Sequence, residues 1–414
     1  MAEQEPRRIC ILLEKFPITE EPGFSAQLEM LEDMGNSLHI IALDNSGNTC
    51  AGRINASIKH LSFSLIRMLQ ALGTLILMLM ISPVNSSRAF FLMLKLLIIT
   101  GHPLRVLKSY LLAVLAVNED IIPLEITHIH SEAFPETSRI AVFASVLSGL
   151  KVSFTVLPIH IYSQPSRETA LLLAKGSFII TISAYDRKHL CEDIFNGKMR
   201  KPVIVSLPLG VDLNTFTFNR KYRIPAEPFK LITVGSLKKK KGIHTVLHAL
   251  KLLKDRGMRF SYTVIGEGEE KKHLKALAEE LGINDFVTFC GNVPRLKIIH
   301  KMREADLFVI APEIAANGDR DSIPVAILES MALGVPVVAA RVTGISEVLE
   351  DDETGILVPP SNPLLLADAC ENILKEPEMR QMLIIKARLF VEGCCDLEMQ
   401  TMRLSEFMQK SGIL

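Results

Sequence analysis

The stretch that decides the fold is residues 318–338, GDRDSIPVAILESMALGVPVV, which has the pattern of a loop, a helix, a turn and a buried strand. Ser322 is a favoured N-cap residue, Pro324 is tolerated in a first helical turn, and Gly334 suits the left-handed residue that ends a helix. The free N–H groups at the start of such a helix form an anion site, and phosphate is a common occupant. The pattern therefore predicts a phosphate-binding helix followed by a core strand.

Glu329 is the exceptional residue of this helix, because its neighbours from Val325 to Leu333 are almost all apolar. Helical spacing places Ser322, Val325 and Glu329 on one stripe. A carboxylate there is either paired with a cation or accepts hydrogen bonds from sugar hydroxyls, as acidic residues do in dinucleotide sites. The alternative is a helix buried on one side, from which Glu329 reaches water.

Length and composition indicate a globular protein with a large core. A chain of 414 residues is expected to form two or more domains, and 48% of its residues are hydrophobic. Lys+Arg and Asp+Glu both number 46, so no overall field favours nucleic acid as a partner. The seven cysteines have no C-x-x-C spacing, which predicts free thiols and no zinc site. The first residues, MAEQEPRR, lack the apolar segment of a secretory signal, so we expect a cytoplasmic protein.

Short apolar runs alternate with helical patterns through both halves of the chain, which predicts an α/β fold with parallel sheets. Predicted strands of the first half are 8–13, 39–43, 126–130, 152–156, 178–182 and 202–206. Predicted strands of the second half are 231–234, 262–265, 287–289, 307–310, 336–339 and 356–358. Between the halves, residues 207–216 (LPLGVDLNTF) have the proline and glycine content of a hinge.

The loop GSLKKKKG, from Gly235 to Gly242, follows a strand and opens a helix. Glycines relax the backbone there, and a cation beside a helix N-terminus suits a diphosphate. The alternative for the four lysines is a solvated loop, which we expect for Lys238 and Lys239.

The stretch 318–338 and the loop 235–242 resemble the corresponding segments of the retaining glycosyltransferases of family 4. Within that family they resemble the branch that builds bacterial surface polysaccharides. The family signature is two acidic residues eight apart, here Asp321 and Glu329, with Asp where Glu is usual and Ser322 where Gly is usual. The resemblance implies the GT-B fold, an α/β fold of two Rossmann-like domains facing across a cleft. It also implies an acceptor domain at residues 1–206, a donor domain at 207–385, and a helical segment at 386–414 that crosses back to the first domain.

The resemblance assigns donor-binding roles in the second half. Lys241 matches the family lysine of the diphosphate, Ser236 replaces the family arginine, and Lys240 could compensate for it. Asp321 would contact the sugar ring as a catalytic residue, and Glu329 would hold the ribose. The remaining donor-side residues are Ser322 and Ile323 at the helix start, Gly235 and Gly266 in the loops near the diphosphate, and Val293 under the base.

The first half departs from the family pattern. The family histidine thought to contact the donor sugar falls on Ile159, and a one-residue adjustment after Pro158 could bring His160 into that catalytic position. The alternative is that His160 is an ordinary loop residue and the site is impaired. Glu21, His130 and Arg187 are expected on the acceptor side. His128 and His130 share one side of a strand, for which we favour a structural or acceptor-side role over a metal site.

The leading hypothesis is an enzyme that transfers a sugar from a nucleotide-diphosphate sugar to a sugar or lipid-linked acceptor, with retention and without a metal or other cofactor. The departures at Ile159, Ser236 and Asp321 support an alternative, a catalytically weak relative that binds a nucleotide sugar or a partner enzyme. A nucleotide-dependent epimerase of the same fold is a third reading.

Residues 63–117 complicate a purely soluble assignment. The segment 68–83 is apolar except for Gln70 but shorter than a membrane span needs, and downstream Arg88, Lys95, Arg105 and Lys108 punctuate long apolar runs. Basic residues beside apolar faces are typical of interfacial helices. Three readings stay open here: peripheral contact with the inner face of a membrane, core packing, and a true span.

Overall fold

The structure, a computed structural model, describes residues 7–16, 22–45, 55–132, 135–162, 167–196, 201–218 and 224–410. The chain divides into two compact units. The first comprises Met1–Ile182, Asp186–Leu207 and Thr401–Leu414, and the second Ser183–Tyr185 and Pro208–Gln400. The domain boundaries expected from the sequence, 1–206, 207–385 and 386–414, stay predictions.

The first unit is built on a parallel sheet of seven described strands in the order β3-β2-β1-β4-β5-β6-β7. The strands are β1 (Arg8–Phe16), β2 (Ser37–Asn45), β3 (Ser57–His60), β4 (His128–Glu132), β5 (Val152–Val156), β6 (Phe178–Thr181) and β7 (Val203–Ser206). Six of these strands match predicted ones. The sequence analysis missed β3, an edge strand whose residues are largely exposed and which therefore lacks an apolar run.

Helices connect these strands and cover the sheet. They are α1 (Pro22–Asp33), α2 (Leu65–Ile81), α3 (Pro83–Thr100), α4 (Pro103–Ala116), α5 (Pro135–Ser148), α6 (Pro158–Tyr162), α7 (Arg167–Leu173) and α8 (Ala184–His189). Proline begins both α3 and α4, where its missing N–H costs nothing. One buried core packs β1, β4 and β5 with α3, α4 and α5, and a second lies on the other face of β1 and β2.

The second unit has a parallel sheet of six described strands in the order β10-β9-β8-β11-β12-β13. The strands are β8 (Phe229–Val234), β9 (Phe260–Ile265), β10 (Val287–Gly291), β11 (Leu307–Ile310), β12 (Val337–Ala340) and β13 (Ile356–Val358). The helices are α9 (Ile243–Asp255), α10 (Lys271–Glu280), α11 (Arg295–Glu304), α12 (Val325–Leu333), α13 (Pro363–Lys375) and α14 (Pro377–Cys394). The last helix, α15 (Leu397–Lys410), begins in this unit, and its residues from Thr401 onward belong to the first unit. All six strands had been predicted, within a few residues at their ends.

Both sheets reverse their strand order once, between β1 and β4 in the first unit and between β8 and β11 in the second. In open parallel sheets, ligands bind beyond the carboxyl ends of the strands at such a reversal. The loops that follow β8 and β11 are therefore the expected location of a ligand in the second unit, and they contain the lysine-rich loop and the stretch 318–338.

Candidate functional site

Two glycines bring the loops of the second unit together. A Cβ atom on Gly242 would lie 1.6 Å from the carbonyl oxygen of Ala311, which follows β11. A Cβ atom on Gly266, after β9, would lie 1.9 Å from the carbonyl oxygen of Gly235, after β8. Both glycines also have positive φ, 61° and 139°. Glycine is therefore required at both positions, and the close approach sets Lys241 beside the loop that leads into α12.

Lysines 240 and 241 converge on a single carboxylate. The Nζ atom of Lys241 lies 2.5 Å from one oxygen of Asp321, and the Nζ atom of Lys240 lies 3.3 Å from the other. Lys240 also donates to Asp319 at 3.1 Å. The four side chains are 12–18% exposed, so these ion pairs are partly shielded from water. The structure thus brings together Lys240, Lys241 and Asp321, all three singled out from the sequence, and adds Asp319, which was not.

The charges of this cluster reinforce one another. Burial acts to raise the pKa of Asp321, but Lys241 and Lys240 outweigh it and hold that pKa below its usual value. Burial acts to lower the pKa of Lys240, but Asp321 and Asp319 raise it above its usual value. Asp321 therefore stays ionised and Lys240 stays protonated at neutral pH.

The start of α12 differs from the sequence prediction. The helix begins at Val325, with Pro324 as the capping residue and no side-chain cap, so Ser322 is not the N-cap. Ser322 lies three residues before the helix, where the Thr343 hydroxyl donates to its carbonyl oxygen at 3.1 Å. The Ser322 hydroxyl is buried and has no hydrogen-bond partner among the described residues. Ile323 beside it is also buried.

Glu329 is paired with a cation, which is one of the alternatives that the sequence left open. The residue is 2% exposed, and one carboxylate oxygen accepts a 2.6 Å hydrogen bond from Arg295 at the start of α11. The Arg295 guanidinium also lies 4.9 Å from the ring centre of Phe216. Burial raises the pKa of Glu329, and Arg295 opposes this effect only in part.

Val293 lies just after β10, in the turn before α11. Its half-buried side chain packs on the core formed by α12 and its neighbours. Because Arg295 follows it by two residues, the turn that carries Val293 leads directly to the partner of Glu329. The roles predicted for Val293 and Glu329 stay predictions.

A concave pocket of about 490 Å³ adjoins this region, between the loops that follow β11, β12 and β13. Its lining residues are Lys239, Glu313, Ile314, Ala315, Ala316, Arg341, Val342, Thr343, Pro360 and Ser361. Lys241, Asp321 and Glu329 are not among them. The pocket thus lies beside the predicted diphosphate position and not at it.

The structure gives less information on the predicted site residues of the first unit. His160 lies in the short helix α6, not in a loop as expected, and its side chain is outside the described part of the chain. Glu21 also lies outside the described residues. Arg187 is exposed on α8. The catalytic role of His160 and the acceptor-side roles of Glu21 and Arg187 stay predictions.

His128 and His130 are buried within the sheet of the first unit. The ring nitrogens of His130 lie 2.7 Å from the Ser153 hydroxyl and 2.9 Å from the Thr155 hydroxyl, and His128 contacts the same serine at 2.7 Å. These contacts place both residues in a polar chain between β4 and β5, although Nδ1 of His128 has no hydrogen-bond partner among the described residues. The acceptor-side role of His130 stays a prediction. Among the described residues, no group of three or more His, Cys, Asp or Glu side chains could hold a metal ion.

Comparison with known proteins agrees with this picture. Residues 214–390 match the family described as glycosyl transferases group 1. The putative colanic acid biosynthesis glycosyltransferase WcaL of Escherichia coli K12 is 31% identical over 229 residues, which are 54% of this chain and 53% of that protein. The amylovoran biosynthesis glycosyltransferase AmsK of Erwinia amylovora is 28% identical over 61% of this chain and 60% of its own length. The chain therefore matches little more than half the length of these curated relatives.

The likeness to solved structures extends over nearly the full length of the chain. The crystal structure of Anabaena Alr3699/HepE in complex with UDP and glucose superposes with a TM-score of 0.72, covering 98% of this chain and all of that one at 16% identity. At this identity the likeness establishes the fold alone. The predicted GT-B fold and the resemblance to bacterial polysaccharide glycosyltransferases are confirmed.

Proposed function

We propose that this chain is a retaining glycosyltransferase that moves a hexosyl group from a nucleotide-diphosphate sugar to an acceptor hydroxyl in bacterial surface polysaccharide or glycolipid biosynthesis. The observation that carries the proposal is the convergence of Lys240 and Lys241 on Asp321 at the strand-order reversal of the second unit. The family match of residues 214–390 and the names of the relatives, two of them polysaccharide biosynthesis glycosyltransferases, support it.

In this mechanism the diphosphate binds between Lys241 and the N–H groups at the start of α12. Both stabilise the negative charge that develops on the leaving phosphate. The buried Ser322 hydroxyl, which lacks a partner among the described residues, is free to donate to the same phosphate. Lysines and backbone N–H groups supply the positive charge that other transferases take from a metal ion, so we propose that no metal is required.

Lys240 takes part of the role of the arginine that Ser236 replaces. Its ammonium group lies within 3.3 Å of the same aspartate that Lys241 contacts, so an anion near Asp321 meets both charges. Asp321 itself would contact the sugar ring once the phosphate has drawn the lysines toward it. Glu329, oriented by Arg295, would accept hydrogen bonds from the ribose hydroxyls with its second oxygen.

The proposed acceptor is a sugar or a lipid-linked sugar, reached from the cytoplasm at the inner face of a membrane. Lipid-linked acceptors keep their reactive hydroxyl near the bilayer surface, so a peripheral enzyme can bind the soluble donor and the anchored acceptor together. The names of WcaL and AmsK, a putative colanic acid and an amylovoran biosynthesis glycosyltransferase, support a role in polysaccharide biosynthesis.

A panel of sugar nucleotides tests the donor assignment. A donor that binds only the folded protein raises its melting temperature, and we expect such a shift with at least one UDP-, GDP- or dTDP-sugar. Glu329→Ala is expected to weaken that donor by about 1.5–3 kcal/mol, since hydrogen bonds to a charged acceptor are lost. The control is Glu378→Gln, which changes an exposed carboxylate at the start of α14. Unchanged binding in Glu329→Ala would show that the donor site lies elsewhere.

His160 separates an active enzyme from a catalytically weak subunit. If it has taken the family position, His160→Ala abolishes transfer and leaves donor binding nearly intact, because its contact matters most as charge develops in the transition state. Transfer is measured as the incorporation of radiolabel from the donor into an acceptor from a lipid extract. Donor binding is measured as the shift in melting temperature. A wild-type protein that binds a donor but transfers nothing would favour the binding subunit instead.

A further inference from the structure

The outer surface of α2 and α3 is apolar although it faces solvent. On α2 the exposed large side chains lie three or four residues apart, and several are more than half exposed: Ile66 at 71%, Leu69 at 61%, Ile76 at 62%, Leu77 at 58% and Met80 at 77%. This spacing places them on one face of the helix. Single exposed leucines are ordinary, but a continuous apolar face on the surface of a protein marks an interaction site.

The opposite face of α2 is already used by the core. Ala71 is fully buried, and Met68, Leu75 and Met78 pack against the core of the first unit. The helix is therefore apolar on both sides, so core packing explains one side and leaves the other without a partner among the described residues. The core-packing reading of the sequence accounts for half of this helix.

The outer face of α3 combines apolar and basic side chains. Phe91 is 68% exposed and Ile98 is 86% exposed, and Arg88 and Lys95 occupy exposed positions on the same face. Leu104, at the start of α4, is 81% exposed and precedes the exposed Arg105. We call the outer faces of α2 and α3, together with residues 104–105, the apolar-basic surface.

The charge of this region selects among possible partners. Residues 61–117 contain five Lys or Arg residues and no Asp or Glu, but Arg67 and Lys108 pair with carboxylates outside this segment. The other three cations, Arg88, Lys95 and Arg105, have no ion pair among the described residues and belong to the apolar-basic surface. A second copy of the chain would bring the same uncompensated cations against this surface, which disfavours self-association. An anionic lipid surface accepts both features at once, because apolar side chains enter the interface while cations meet lipid phosphates.

Geometry favours lying on the membrane over crossing it. Among the described helices, α3 has the length and composition for a span, and only 22% of its apolar window is buried. However, Ala89, Met93 and Leu96 on its inner face are 0–6% exposed and belong to the core. A span would remove them from that core and carry Arg88 and Lys95 into the hydrocarbon, at a considerable cost.

We propose that the apolar-basic surface is a membrane-docking face that binds the interface of anionic bilayers with α2 and α3 lying along the surface. The exposure and charge of these side chains do not depend on the proposed transferase activity, so the surface can be tested whether or not the chain transfers a sugar.

The test is sedimentation of the full chain with vesicles of phosphatidylethanolamine and phosphatidylglycerol, and with vesicles of phosphatidylcholine. We expect binding to the anionic vesicles that weakens with salt. A triple variant, Leu69→Ser, Ile76→Ser and Met80→Ser, is expected to bind at least tenfold more weakly, and Arg88→Gln with Lys95→Gln to lose about fivefold or more for each cation. Because all five side chains are exposed, the far-UV circular dichroism and melting temperature should stay close to wild type.

The matched control is Leu296→Ser with Leu389→Ser, two leucines of the second unit that are 78% and 61% exposed. Their loss should leave vesicle binding unchanged. The proposal is overturned if the wild type does not bind anionic vesicles, or if the triple variant binds them as well as wild type does. It is also overturned if the wild type is a dimer and the triple variant is a monomer, because the surface would then be a dimer interface.

Discussion

Replacing Lys241 by alanine is expected to weaken the binding of nucleoside diphosphates by about ten- to a hundredfold, since a charged hydrogen bond contributes about 1.5–3 kcal/mol. The Lys241 side chain is 13% exposed and contacts Asp321, so its charge is partly shielded from water. Water would therefore weaken its attraction to a bound phosphate only a little. The free nucleoside, which has no phosphate, should lose little affinity. Isothermal titration of both ligands measures the difference.

Lys239→Ala is the control for that variant. Lys239 lies in the same loop, two residues before Lys241, but its side chain is exposed and its charge is screened by solvent. We expect less than a twofold change for either ligand. Equal losses in the two variants would mean that the loop acts only as a charged surface, and an equal loss for nucleoside and diphosphate would mean that Lys241 supports the fold.

The parallel sheets could be predicted because buried parallel strands appear in a sequence as short apolar runs between helical patterns. β3 escaped this criterion because an edge strand with exposed residues such as Ser57 and Lys59 has no such run. Helix α2 shows a different limit. Its residues are apolar on every side, so periodicity cannot indicate which face is buried. The structure separates Ala71, in the core, from Met80, in solvent.

The candidate site was predictable residue by residue but not as a set of contacts. Lys241 and Asp321 were singled out separately, and their pairing depends on the contact of Gly242 with Ala311, which no local pattern contains. Glu329 was expected to be either paired or ligand-binding, and it is paired. Its partner Arg295 gave no signal, because an arginine at the start of a surface helix is ordinary. Asp319 could have been found, since it lies two residues before Asp321 in the same loop.

Acidification from pH 7 to pH 5 is expected to destabilise the first unit by about 4 kcal/mol through His128 and His130. Burial lowers the pKa of His128 to about 3, with smaller contributions from His130 and Lys151, and burial lowers the pKa of His130 to about 4. In the unfolded chain both rings have pKa values of about 6.5. Below that pH the two histidines are protonated in the unfolded state but not in the folded state. The free energy of unfolding therefore falls as the pH drops from about 6.5 toward the pKa values of the folded state.

Urea unfolding at pH 7 and at pH 5, followed by circular dichroism, measures this loss. The double variant His128→Gln, His130→Gln should be less stable at pH 7, because the hydrogen bonds of Ser153 and Thr155 are disturbed, yet it should lose much less stability on acidification. His300→Gln is the control, since that side chain is 72% exposed on α11 and should leave the pH dependence unchanged. A double variant that keeps the full wild-type loss would show that other groups carry the acid sensitivity. His128 and His130 would then either gain protons in the folded state as readily as in the unfolded state or carry them already. In both cases, burial in the polar chain from His128 through Ser153 to Thr155 would not lower their pKa values.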